Sequence, residues 1–352
     1  MPFTCPHFGL PFPRWRQRTK PPRISPASYY KKELTTHAGA PDKRWAYLAL
    51  SAVCVLWGTT YLGIRISIES IPPLYLIAIR YVISGGILLL AGLMMRARMP
   101  TLREFLLTAL YGAICIGIGN GLLAIAELWM PSGLAALMYT TVPFWMVGMD
   151  AILPGGVKPL AATLRGLLVG LAGVAFLILP AALHEGWHSR SVEGFLLLQL
   201  SAIGWVLGSL LQRRMPTATS PFLIGAVQQL GAGLVTFIPA AMFEKLPAHV
   251  TLRSELAMAY LIVFGSIIGF SSFVYSMARL PVALVSIYTF VNPIVAVLLG
   301  SVFFGEPFES REWIAMLVIF AGVALVKWSE SRHRAPAYAT LAAKSERPAT
   351  LH

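Results

Sequence analysis

Residues Leu280 to Glu306 read LPVALVSIYTFVNPIVAVLLGSVFFGE, and no charge appears before Glu306. Pro281 opens the run, and Pro293 sits inside it beside Asn292. A water-soluble helix rarely carries both within an apolar run. A membrane helix tolerates them, because neighbouring helices or trapped water satisfy the backbone groups that proline frees. The run is long enough for the hydrocarbon core of a bilayer, which takes about 20 apolar residues. The same stretch occurs earlier as MPSGLAALMYTTVPFWMVGMDAILPGG, Met130 to Gly156. Pro131, Pro143 and Gly155 match Pro281, Pro293 and Gly305 at a constant offset of 150, and Gly119 matches Gly269 at the same offset. Upstream, Trp57 matches Trp205, Pro73 matches Pro221 and Gly85 matches Gly233, all at 148. Downstream, Ala172-Gly173-Val174 matches Ala321-Gly322-Val323 at 149. The chain is two copies of one unit, with insertions or deletions of a residue or two.

Composition supports a membrane protein. The chain is 57% hydrophobic and 12% charged, whereas soluble domains carry about 25% charged residues. A net charge of +13 would suit a nucleic-acid partner, but no folded basic domain gathers it, so it reads as a topology signal and no nucleic acid is expected. Cys5, Cys54 and Cys115 form no CxxC pair and give neither a disulfide framework nor a metal knuckle. Residues 1–44 are polar, proline-rich and basic, without the apolar segment of a cleaved signal peptide. They are expected to form a disordered cytoplasmic tail, with a second cytoplasmic tail at 329–352.

Ten apolar runs lie between, near 45–66, 74–95, 105–127, 132–152, 161–181, 194–212, 220–243, 256–278, 281–303 and 310–328. The predicted fold is therefore an all-α membrane protein with ten transmembrane helices. With the amino terminus inside, cytoplasmic segments hold 22 Lys and Arg and external segments 5. That bias places both termini in the cytoplasm. Five spans per copy, 45–181 and 194–328, would put the second copy upside down relative to the first. Two inverted five-helix repeats are an architecture of alternating-access transporters, whose site lies at the repeat interface.

Several polar residues fall within these runs. Arg80 sits seven residues past Pro73, and a buried arginine in a span normally faces a partner or a wet cavity. Its counterpart in the second copy is Gln228. Glu127 closes the third run; it could pair with Arg80, bind a cationic substrate or carry a coupling proton, or be an interfacial acid in contact with water. Asp150 reads as interfacial. Asn120 lies among three glycines in GIGNGLL, and Asn292 lies beside Pro293; either amide could line a cavity or serve as packing glue. Trp57, Tyr61, Tyr139, Trp205 and Tyr288 could supply aromatic walls. Gly166 with Gly170, and Gly204 with Gly208, form GxxxG pairs that permit close helix contact inside the bundle or between the protomers of a homodimer.

Enzyme signals are weak. HEGWH, His184 to His188, matches the HExxH pattern of zinc proteases but falls in a short loop after Pro180, with Gly186 inside it. No GxSxG occurs, and no histidine lies within a span. No catalytic residue, metal or cofactor is expected.

LWGTTYLGIR (Leu56 to Arg65) and PPLYLIAIRY (Pro72 to Tyr81), with the two proline-centred stretches, resemble the EamA family of the drug/metabolite transporter superfamily, especially its bacterial exporters. The resemblance covers residues 45–328. It implies ten helices around a central cavity between the repeats, a multi-pass protein of the inner membrane, and efflux of small metabolites or drugs without an organic cofactor. Two positions depart from the family pattern: Gly156 stands where the second copy has Glu306, and Ala315 replaces a usual glycine. Both read as peripheral. A carrier of phosphorylated or nucleotide-linked sugars would be expected to hold more cavity cations than Arg80. A channel would need rings of charge, and an intramembrane enzyme a catalytic pair within the spans.

Overall fold

The computed structural model describes residues 43–154, 159, 161–184, 189–280, 285, 287–306 and 309–345, and among these it is helical throughout, with short connections. Ten helical segments follow in order. α1 is Lys43–Ser67 and α2 is Pro73–Met94. α3 comprises Leu102–Gly112, a π-helical segment Ala113–Ile118, and Gly119–Ala126. α4 comprises Ser132–Met138, a 3-10 turn Tyr139–Thr141, and Val142–Ile152. α5 is Ala161–His184, α6 is Arg190–Arg214 and α7 is Pro221–Phe243. α8 comprises Leu252–Tyr260, a π-helical segment Leu261–Ile268, and Gly269–Arg279. α9 is Tyr288–Phe304 and α10 is Ser310–Ser345. The residues 185–188 of the HEGWH match lie outside the described residues.

Local chemistry sets the boundaries. α2 and α7 each start at a proline, whose missing N–H costs nothing in a first turn. Thr101 and Glu104 close a reciprocal capping box at α3, and Ser189, Ser220 and Thr251 cap α6, α7 and α8. Gly305 ends α9 in the left-handed conformation, φ 60°, which glycine adopts without Cβ strain. The break in α4 has a direct cause. Pro143 cannot donate to the Tyr139 carbonyl, so the Val142 N–H takes that acceptor instead and the helix tightens for one turn.

α1, α2, α3, α5, α6, α7 and α8 are long and apolar enough to cross a membrane. α9 is apolar but shorter, α4 is interrupted, and α10 continues to Ser345, past the apolar run 310–328. Leu90, Leu168, Leu234, Leu298 and Leu317 lie exposed on the helix exteriors. An apolar exterior of this kind suits lipid rather than water.

The most extensive helix contacts pair α2 with α7 and α5 with α10. α1 packs on α8 and α9, α3 on α6 and α7, and α4 on α6 and α9. Glycines make the closest crossings. A Cβ at Gly85 would collide with the Leu230 backbone, and one at Gly233 with the Val82 backbone. A Cβ at Gly166 would lie 2.8 Å from the Gly322 carbonyl, and one at Gly208 would meet the α3 backbone at Cys115, 2.6 Å away. Both GxxxG pairs therefore serve contacts inside the bundle.

Candidate functional site

Between the two halves lies a cavity of about 530 Å³. Trp57, Tyr61, Arg80, Asn120 and Tyr139 line it from the first half; Trp205, Gln228, Tyr288 and Asn292 line it from the second. Those are the pathway candidates named from the sequence, with the exception of Glu127. The lining reaches Gln212, Arg213 and Met277 at the end of the bundle where α6 and α8 finish.

The π-helical segments shape the walls. A π turn breaks the regular i→i−4 ladder and leaves carbonyls for other partners. The Trp57 indole donates to the Gly265 carbonyl at 3.1 Å. Gln229 Nε2 donates to the Ser266 carbonyl at 3.4 Å. On the α3 side, Ser201 Oγ donates to the Gly119 carbonyl, and Asn120 Nδ2 to the Ile116 carbonyl at 3.4 Å. Trp57 also meets Tyr288 edge-on and Phe273 at a tilt, each at 5.1 Å between ring centroids. Asn292, in the amide orientation that satisfies its neighbours, donates to the Cys54 and Tyr288 carbonyls at 3.0 Å. It joins α1 to α9 while touching the cavity.

Arg80 is 4% exposed. Its Nε donates to Ser266 Oγ at 2.8 Å, and its guanidinium carbon lies 4.8 Å from the Tyr81 ring centre. Its Nη1 has no hydrogen-bond partner. Ser84 Oγ donates to Gln229 Oε1 at 2.6 Å, so α2, α7 and α8 meet in one polar network beside the arginine.

Glu127 is fully buried at the end of α3, outside the lining. Both carboxylate oxygens lack a hydrogen-bond partner, and Arg65 Nη1 donates to its backbone carbonyl rather than to its side chain. An ion pair with Arg80 is not formed in this structure. Asp150 pairs with Arg214 at 2.9 Å, in a partly exposed position.

The end of the bundle where α1 and α9 finish is tied across the halves by two carboxylates. Glu244 accepts from the Leu74 and Tyr75 N–H groups at 2.9 and 3.0 Å, closing the first turn of α2. Glu306 accepts from the Ser132 and Gly133 N–H groups at 2.9 and 3.2 Å and from Ser132 Oγ, closing the first turn of α4. Each satisfies orphan donors and faces the positive end of a helix dipole. Ser254 Oγ adds a bond to the Ile66 carbonyl at 3.0 Å, and the Thr251 N–H donates to Ser70 Oγ at 3.1 Å. Sequence reasoning assigned Glu306 no role of its own, whereas it fastens α9 to the start of α4. The signal available was an acid just after a long apolar run, with a Pro-Ser helix start elsewhere in need of an acceptor. Among the described residues no His/Cys/Asp/Glu group could hold a metal ion.

The model of the EamA-like transporter family matches residues 44–179 and again 192–328. An Escherichia coli K12 protein named "Uncharacterized inner membrane transporter YedA" is 38% identical over 282 residues, 79% of this chain and 89% of that protein. A Salmonella typhimurium protein named "Probable amino-acid metabolite efflux pump" is 22% identical over 80% of this chain and 94% of its own length. One solved crystal structure superposes with a TM-score of 0.57 at 24% identity, covering 81% of this chain and 98% of the other. At that identity the likeness is one of fold.

Proposed function

The chain belongs to the EamA-like transporter family and is a multi-pass membrane transporter of that type, and from that premise we propose that it exports small metabolites or drugs (amino acids, amines or similar) by alternating access. All ten helical segments cross the inner membrane as two inverted five-helix repeats, with both termini in the cytoplasm. The observation that carries this reading is the cavity lined by both halves. The helix contacts agree with an inverted repeat: α1 on α8 answers to α6 on α3, α1 on α9 to α6 on α4, and α2–α7, α4–α9 and α5–α10 each answer to themselves. A two-fold axis in the membrane plane generates that pattern.

In the proposed orientation the cavity faces the cytoplasm, because its lining runs toward Arg213 and Met277, while the Glu244 and Glu306 ties shut the outer end. Substrate enters from inside; the outer ties then release as the inner end closes. Glu127 lies at the shut end with two orphaned oxygens, and it carries the coupling proton when periplasmic water reaches it. Proteoliposome uptake of labelled amino acids, amines and dyes under an imposed pH gradient tests this. We expect at least one compound to move in wild type, and Glu127→Gln to lose gradient-driven movement while keeping exchange. No movement of any compound would overturn the transporter reading, and a wild-type rate in Glu127→Gln would overturn the coupling role.

A further inference from the structure

Taking the central cavity as the substrate pathway, we propose that its substrate carries one carboxylate on an apolar or aromatic body, with Arg80 as the anchor for that carboxylate. Arg80 sits deep in the wall, and only its Nε is committed, to Ser266. Nη1 is left without an acceptor. A guanidinium held in low dielectric with a free edge is a costly arrangement unless something completes it. A carboxylate does so with matching planar geometry and paired N–H···O bonds.

The rest of the lining narrows the choice. Among the described residues lining the cavity there is no Asp or Glu, and the other charged one is Arg213, exposed at the mouth. Glu127, four residues past the lining Leu123, lies outside the lining. A cationic substrate would therefore meet two positive groups and no carboxylate. A neutral substrate without an acceptor would leave Nη1 as it is. A nucleotide-linked sugar brings two or more negative charges, for which one deep guanidinium is too few. Beside uncharged polar groups such as Asn120 and Gln228, the wall carries Trp57, Tyr61, Tyr139, Trp205, Phe270 and Tyr288, which suit an apolar or ring-bearing body.

The test uses 3-phenylpropionate, 2-phenylethylamine, 3-phenylpropionamide and phenyl phosphate, which share a ring and differ in the charged end. Binding to the full chain in detergent is read by thermal stabilisation, and uptake is read in proteoliposomes. We expect 3-phenylpropionate to stabilise wild type and to be taken up, while the amine and the amide do neither. Arg80→Gln should weaken the carboxylate response by about tenfold or more, and Arg80→Lys should restore part of it. If Arg80→Gln does not fold, competition among the four probes on wild type decides the matter alone. Stronger binding of the amine or the amide, no response to the carboxylate, or an unchanged carboxylate response in a folded Arg80→Gln would each overturn the proposal. Tighter binding of phenyl phosphate would overturn the carboxylate assignment in favour of a phosphorylated substrate. Uptake of the amine alone would overturn this inference yet leave the transporter reading standing, whereas no uptake of any compound would strike at that reading instead.

Discussion

The two halves agree where backbone meets backbone and part company where side chains meet the cavity. Gly85 presses on Leu230, and Gly233 presses on Val82; both members of the first pair map onto the second at the offset of 148. Gly173 faces Ile319 and Ala315, while Gly322 faces Gly170 and Gly166, the same relation at 149. Trp57 lies against Gly269, and Trp205 against Gly119. At the cavity the correspondence fails. Arg80 in the first half answers to Gln228 in the second, and only the first half places a charge deep in the wall. Glu306 closes α4, and its counterpart is Gly156, which has no side chain to close anything. The repeated unit supplies a frame of close crossings, and its departures supply charge and fastening.

The largest effects should come from breaking the frame. Gly85→Leu and Gly233→Leu each force a side chain into the α2–α7 crossing, and overpacking of that kind costs about 3 kcal/mol. Both should abolish a monodisperse peak in detergent to the same degree, whereas Gly86→Leu, with no heavy atom within 4 Å of the added Cβ, should behave as wild type. Unequal damage from the matched pair would break the symmetry of the crossing.

Smaller effects should follow from the end ties. Glu306→Gln and Glu244→Gln weaken charge-assisted bonds worth about 1–2 kcal/mol each. Hydrogen exchange should quicken at Ser132 and Gly133 in the first variant and at Leu74 and Tyr75 in the second, each without disturbing the other. The smallest difference should separate the tryptophans. Trp57→Phe loses the bond to the Gly265 carbonyl, about 1 kcal/mol, seen as a lower Tm. Trp205→Phe gives up no such indole bond and should cost less.

The frame was legible in the sequence because its signals are local. Pro73 and Pro221 mark helix starts, apolar runs mark helices, and glycines at a fixed offset mark crossings. Trp57, Arg80 and Asn292 were legible as cavity candidates because a polar or amphipathic side chain in an apolar run needs a partner or a wet cavity, and Asn292 finds both. What escaped depends on tertiary partners. The π-helical segments at Ala113–Ile118 and Leu261–Ile268 are a matter of hydrogen-bond register, and their mostly apolar residues do not set them apart from the helix around them. Glu127 sits in a similar apolar context to Arg80, yet the turn of α3 carries it away from the cavity. Glu306 acts on a helix start 174 residues earlier, which no local pattern displays.

The pairing of α2 with α7 and of α5 with α10 has a consequence for biosynthesis. Each partner lies about 150 residues downstream, and at ribosomal rates of about 5–20 residues per second the first helix waits roughly 7–30 s for the second. During that interval the glycine faces of α2 and α5 have no mate, and Arg80 enters the membrane before Ser266 has been synthesised. The nascent first half must be sheltered, by the insertion machinery or by lipid, until the second half arrives to complete it.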